Sequence, residues 1–485
     1  PAPAGQAVSP MSERPLPRFA VVGHPNKGKS SIVATLAQND GIAIALEPGT
    51  TRENGHYPLR VDDRLLYELI DTPGFQRPRR VLAWLQAHSL SASDRPDTVR
   101  AFVTQHRDDP RFHDECQLLT PILEGAGILY VVDGAVPYSR EQEAEMEILR
   151  WTGRPSLALI NRIGAGDHLA DWRAALGQYF QIVRDFDAVH APFEAHLSLL
   201  RGFGQLAPEW EAPLEEATHH LRDQRRHRQH QALQLIAAAL ADMLTHRETG
   251  RLRDDGNRDA LEHELGQRWR DWQRQREQRL RRDVEALYQH RHLRRREQAL
   301  AWQPGSDLFS EQARRTWGVS RTYLATAGFG AGALGGAGID ALAAGHSLGA
   351  GALIGGVLGA AGSVFYGGKY ADKLGALKVL ERFTGGAEAA FGPVRDPQFG
   401  YVVLGRALEH WHQVSHRNHA GREPLTLGDA DRHWLEQLPR GQRQRLQKAL
   451  QDPPRQPGDV KRRDALETAV EQAGEAFLSW RSGSL

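Results

Sequence analysis

Cysteine is almost absent: Cys116 is the single one among 485 residues. That excludes an intramolecular disulfide framework, removes Cys-based zinc and iron–sulfur sites, and fits a reducing compartment. An ordinary buried thiol accounts for it. An excess of charge is absent too, with 61 Lys plus Arg against 60 Asp plus Glu. No global field therefore draws the chain to nucleic acid, and any binding surface must be local. The opening "PAPAGQAVSPMSERPLP" has neither a basic n-region nor an apolar h-region. It does not read as a secretory signal, and residues 1–16 are expected to form a disordered leader.

At roughly 100–200 residues per domain, the length predicts about two to four structural units. "RFAVV", "YPLRV", "RLLYELI", "GILYVVD", "SLALIN" and "FQIVRDF" are short, β-rich runs separated by Gly/Pro breaks and helical intervals, which predicts an α/β domain over 17–204. A long, mostly polar helical insertion at about 78–121 interrupts it. Beyond residue 205 the strand pattern vanishes and charged helices take over to 321, with the apolar "ALQLIAAALADML" at 232–244 expected to be buried. The Arg-rich stretch that follows carries many acids, so a solvated helix face explains most of it; nucleic acid is disfavoured as a partner without being excluded.

Between 322 and 368 the texture changes again. Gly328, Gly332 and Gly336 recur every four residues, as do Gly351, Gly355, Gly359, Ser363 and Gly367, so each set shares one helix face that admits a second backbone. Asp340 and Gly345-His346-Ser347 suit the turn of a hairpin. The uncharged run 347–368 is long enough to cross a bilayer, for which about 20 helical residues suffice. Arg314, Arg315 and Arg321 before it and Lys369 and Lys373 after it favour both ends on the cytoplasmic side. A tightly packed soluble helix pair is the alternative. Residues 369–485 return to amphipathic helices, "GYVVLGRALEHWHQV" and "RHWLEQLPRGQRQRLQKAL", with a break at "DPPRQPGD".

The chemistry concentrates in the first 200 residues. "GHPNKGKS" (Gly23, His24, Pro25, Asn26, Lys27, Gly28, Lys29, Ser30), followed by Ser31, fits G-x-x-x-x-G-K-[ST] between a strand and a helix. Backbone N–H groups of such a loop cradle phosphates, Lys29 would neutralise the β- and γ-oxygens, and Ser30 would hold Mg2+. "LIDTPGF" supplies Asp71-Thr72-Pro73-Gly74, a D-x-x-G in which Asp71 would reach Mg2+ through water and Gly74 would offer its N–H to a γ-phosphate. "EPGTTRE", with Thr50 and Thr51, lies between them; a hydroxyl there can reach the metal when the triphosphate is present. The order and spacing make these short motifs strong together.

In these motifs the chain resembles the Era/TrmE-like branch of the translation-factor class of P-loop GTPases, over about residues 18–202. The resemblance implies that "PGTTRE" is switch I, with Thr51 binding the metal, and "DTPG" switch II. It also places Asn26 where several such enzymes coordinate K+, a cation able to offset developing negative charge. Lys29, Asn26, Thr51 and Gly74 are thus the candidate catalytic residues. Phe75 stands where Ras-type proteins place glutamine, so intrinsic hydrolysis is expected to be slow or to depend on potassium, a partner or a homodimer formed through the G domain. The layout also resembles a bacterial family that fuses such a domain to a C-terminal domain of unknown function.

The base-reading motif departs from the pattern: "NRIG" (Asn161, Arg162, Ile163, Gly164) ends in glycine where the family carries the carboxylate that selects guanine. Asn161 remains to contact the base, and the stem of Arg162 to cover the ring. Asp167 either swings into the base site or caps the helix "HLADWRAAL". The fifth motif matches weakly at "VHA", 189–191. His106, His113 and Cys116 in the insertion read as ordinary side chains sooner than as a metal site. The expectation is a cytoplasmic GTP/GDP-binding hydrolase, peripheral or hairpin-anchored at the inner membrane through 322–368. The alternatives are a nucleotide-gated scaffold with negligible turnover and a GTPase assisting RNA modification or ribosome assembly.

Overall fold

The structure is a computed structural model that describes residues 16–24, 28–37, 54–61, 64–162, 166–252, 257–289, 308, 377–383, 386–394, 396–418 and 434–483. The proposed leader up to residue 15, Pro25, Asn26, Lys27, Thr50, Thr51, Gly164 and the glycine-rich segment 322–368 lie outside the described residues. The chain divides into two compact units, and the division falls inside one long helix, between His227 and Arg228.

Unit 1 is built on a six-stranded sheet of order β2-β3-β1-β4-β5-β6. The strands are β1 (Arg18–Val22), β2 (Gly55–Val61), β3 (Arg64–Asp71), β4 (Gly127–Asp133), β5 (Ser156–Asn161) and β6 (Ile182–Asp185), the six runs expected from the sequence. All pairings are parallel except that of β2 with β3. Alternation along β1 sends Phe19 and Val21 into one core and Ala20 and Val22 into the other, so helices cover both faces. Every residue of β4 is buried, as its uninterrupted apolar run requires. Around the sheet lie α1 (Lys29–Leu36), α2 (Pro78–His88), α3 (Arg95–His106), α4 (His113–Leu123), α5 (Arg140–Trp151), α6 (Leu169–Leu176), α7 (Phe193–Leu206) and the start of α8 (Pro208–Thr245).

The segment 78–121 is helical, as its pattern predicts, forming α2, α3 and most of α4. Its inward face is core: Val81, Leu85, Val99, Phe102, Leu118 and Leu119 are all buried with the sheet residues. His106 packs against Trp84, Phe102 and Phe112. Among the described residues no group of side chains is arranged to hold a metal ion through His, Cys or carboxylate clustering.

Unit 2 takes up the rest of α8, with the buried 232–244 face that was expected, and adds α9 (Arg258–Leu287), α10 (Pro397–His416), α11 (Trp434–Gln437), α12 (Arg440–Gln451) and α13 (Val460–Gly483). It is mainly helical, but strands do not vanish after residue 205: β7 (Glu248–Leu252), β8 (Leu377–Phe383) and β9 (Gly386–Phe391) form a three-stranded antiparallel sheet of order β7-β9-β8. "ETGRL" and "GAEAAF" contain almost no β-branched residues, so local propensity does not announce them and pairing decides. Within the helices a buried ionic cluster forms. Arg406 meets Glu277 at 2.7 Å, Arg281 reaches the same carboxylate at 3.1 Å, and His410 contacts Glu285 at 3.0 Å. Burial acts to raise the Glu277 pKa, yet Arg406 and Arg281 outweigh it and hold the carboxyl down at about 2. Among the described residues no helix is long and apolar enough to cross a membrane.

Candidate nucleotide-binding site

The site begins where β1 ends and α1 starts. Gly23 adopts φ +141°, and a Cβ there would lie 2.3 Å from the carbonyl oxygen of Val131 on β4, so only glycine lets the turn pass this close to the sheet. Gly28 caps α1 in the left-handed conformation, and the helix starts at Lys29. The first turn of α1 therefore presents N–H groups and the positive end of its dipole to the loop, the arrangement that receives phosphate.

Lys29 is buried, and its Nζ donates to the carbonyls of Gly23 and His24 at 3.1 and 3.2 Å. Burial pushes its pKa down, against the charges of Asp71 and Glu145, which raise it. The next residue, Ser30, donates from Oγ to Oδ2 of Asp71 at 2.9 Å. Asp71 closes β3 and is itself buried. Two residues read from separate motifs thus meet across the β1–β3 pair, which sets Val21 beside Asp71. Thr72 Oγ1 donates to the Val21 carbonyl at 2.7 Å and pins the start of the D-x-x-G loop. Pro73 and Gly74 follow, and Phe75 is fully buried in the core on that side. Ser31 lies in the first turn of α1.

Asn161 ends β5 beside Asp133 of β4, buried, and its Oδ1 accepts from the Ala188 N–H at 3.3 Å. The loop after β6 is thereby tied to the end of β5, one residue before the "VHA" chosen from sequence. Thr35 of α1 secures the same residue, its hydroxyl donating to the Ala188 carbonyl at 2.7 Å. Arg162 is exposed. Asp167 precedes His168, the N-cap of α6, and its Oδ1 accepts from the Leu169 N–H at 3.4 Å.

Residues that the motifs did not name complete the site. Glu145 of α5 is fully buried; its Oε1 accepts from His24 Nδ1 at 2.9 Å and its Oε2 from the Tyr130 hydroxyl at 2.8 Å. His24 is therefore held by a carboxylate of α5 that is itself held by Tyr130 of β4. The signal was legible: Glu145 lies on the apolar face of α5, between Gln142 and Ile148–Leu149 at helical spacing, where a solvated acid does not belong.

The family relations agree with this geometry. Residues 173–476 match the model described as a domain of unknown function (DUF3482), which is more than half of the chain. The chain belongs to the DUF3482 family. Ahead of that region, residues 18–162 match the model described as 50S ribosome-binding GTPase, so the DUF3482 region is joined to a P-loop GTPase domain. Similar proteins include the GTPase Der of Mycoplasma pneumoniae, 30% identical over 145 residues, which are 30% of this chain and 26% of that one. The GTPase Der of Acidithiobacillus ferrooxidans is 31% identical over 163 residues, 31% of this chain and 36% of that one. The chain spans between 20% and 41% of the length of the curated relatives it matches. Among solved structures, Era in complex with MgGDPNP and a segment of 16S ribosomal RNA is 20% identical, covering 36% of this chain and 51% of that chain with a TM-score of 0.25.

Proposed function

We propose that the N-terminal domain binds GTP and hydrolyses it to GDP and phosphate as a nucleotide-dependent switch. The observation that carries this reading is the Ser30–Asp71 contact at 2.9 Å, next to a lysine held by the carbonyls of its own loop. A hydroxyl and a carboxylate converging there are hard oxygen donors that suit Mg2+. Ser30, Thr51 and Asp71, the last through water, would hold Mg2+, which would supply neutralisation of the phosphate charge. Lys29 exchanges its carbonyl partners for the β- and γ-phosphates, and the N–H groups at the start of α1 bind the same anions. Gly74 donates its N–H to the γ-phosphate. Asn161 presents N–H donors to the base and Arg162 covers the ring with its stem. Asn26 would hold K+, which would supply positive charge against the charge developing on the phosphate. Turnover is slow, because a buried Phe75 cannot orient water. The segment 322–368 makes a membrane contact, and G domains pair as a homodimer.

The test compares GTP and ATP, with and without K+, in the wild type and in Lys29→Ala. GTP turnover stimulated by K+ and lost in Lys29→Ala is the expected result; binding of neither nucleotide, or full activity in that variant, refutes it. A second reading, a nucleotide-gated scaffold with negligible turnover, draws support from the burial of Phe75. Single-turnover hydrolysis that neither K+ nor lipid accelerates would favour it.

A further inference from the structure

The loop that carries Gly74 is held at its far end by a residue outside every nucleotide motif. After Phe75 the chain enters α2, whose N-cap, Arg77, provides no side-chain hydrogen bond to its own helix. Glu115 of α4 supplies what is missing: its Oε1 accepts from the N–H groups of Gln76 at 3.0 Å and Arg77 at 2.6 Å. A carboxylate in this place also complements the positive end of the α2 dipole. Arg77 Nη1 reaches the Arg111 carbonyl at 2.5 Å, and Asn54, the residue directly after "PGTTRE", donates from Nδ2 to the Gln117 carbonyl at 2.9 Å. One short stretch of chain, 111–117, therefore moors the residues that follow both switch motifs.

Glu115 is fully buried, and its second oxygen, Oε2, has no partner among the described residues. Burial pushes the carboxyl up, while the N–H groups of Arg77 and Gln76 pull it down. A buried carboxylate with one bare oxygen is poor design for stability alone. Its use lies in what it holds. Thr72 is pinned to Val21 and Phe75 is locked in the core, so with Gln76 and Arg77 held, Pro73 and Gly74 lie between two anchored points.

We infer that Glu115 is a positioning residue for the nucleotide switch, setting where the Gly74 N–H stands by holding Gln76 and Arg77. The inference rests on the GTP-switch reading above. Its test uses the full chain and the variants Glu115→Ala and Glu115→Gln, titrated with GDP and with a non-hydrolysable GTP analogue in Mg2+, together with amide hydrogen exchange over residues 74–77. Glu115→Ala is expected to speed exchange at Gln76 and Arg77 at least about thirtyfold. It is also expected to weaken analogue binding about tenfold and leave GDP binding within about twofold. Glu115→Gln, which keeps an acceptor oxygen, restores most of both. Equal losses of GDP and analogue binding would make Glu115 a general support and overturn the inference. Exchange at Gln76 and Arg77 unchanged in Glu115→Ala would overturn it as well. If the wild type binds neither nucleotide the GTPase reading fails separately, and the exchange measurement still decides whether Glu115 holds this loop.

Discussion

Replacing Gly23 with alanine probes the phosphate loop at its tightest point. A Cβ built there stands 2.3 Å from the Val131 carbonyl oxygen, whereas carbon–oxygen contacts settle at about 3.3–3.6 Å. The loop and β4 must then part by about 1 Å. Gly125, which follows α4 and has φ +114°, is the matched control, because a Cβ there meets nothing within 4 Å. Both substitutions carry backbone strain of about 1–3 kcal/mol, and only Gly23→Ala adds a displacement at the site. Misplacement by about 1 Å costs about a hundredfold, or about 2.7 kcal/mol, when the displaced groups are the ones that bind. Isothermal titration with GDP and thermal unfolding separate the two effects. Gly125→Ala is expected to lower the melting temperature and leave GDP affinity within about twofold, while Gly23→Ala lowers both, with affinity down about a hundredfold. A Gly23→Ala protein that binds GDP within about threefold of wild type would refute the claim that this close approach shapes the site.

Two further outcomes concern stability. His196 is buried, and the Tyr67 hydroxyl gives its one proton to the Leu36 carbonyl, so His196 donates from Nε2 to the Tyr67 oxygen and is held neutral. Burial pushes its pKa down to about 4, below an unfolded value of about 6.5. Stability is then full above about pH 6.5 and falls as pH drops toward 4, by about 3 kcal/mol once the imidazole is protonated in both states. His196→Gln should lose less stability than the wild type between pH 7 and 4.5 in denaturant titrations; parallel losses would count against the assignment. In unit 2, Glu277→Ala leaves Arg406 buried without its carboxylate and is expected to cost about 3–5 kcal/mol. A cost below about 1 kcal/mol by denaturant unfolding would show that the pair does not act as a buried one.

Much of unit 1 was legible because its signals are local. Uninterrupted apolar runs such as "GILYVVD" mark central strands, and a glycine-rich turn ahead of a helix marks an anion site whatever surrounds it. Glu145 and Glu115 were legible in part, as acids on apolar helix faces: Glu115 precedes Leu118, Leu119 and Ile122 at helical spacing. Their partners were not, because Glu115 and Gln76 are 39 positions apart and Glu145 and His24 are 121 apart. The strands β7 and β9 were hidden for a related reason, since "ETGRL" and "GAEAAF" owe their extended form to each other.

By itself, then, the sequence determined the P-loop GTPase domain: a G-x-x-x-x-G-K-S loop between a strand and a helix, a D-x-x-G after a later strand, and a glycine at Gly164 where the base-reading motif usually carries a carboxylate. These follow from residue type and spacing within a few turns of chain. Tertiary structure alone decided that Ser30 meets Asp71, that Asn161 accepts from Ala188, that Asp167 accepts from Leu169, and that Glu115 of α4 reaches back to the N–H groups of Gln76 and Arg77. Such contacts depend on how strands order in the sheet, a long-range choice made by burial of both faces at once, and burial has no address in the local pattern.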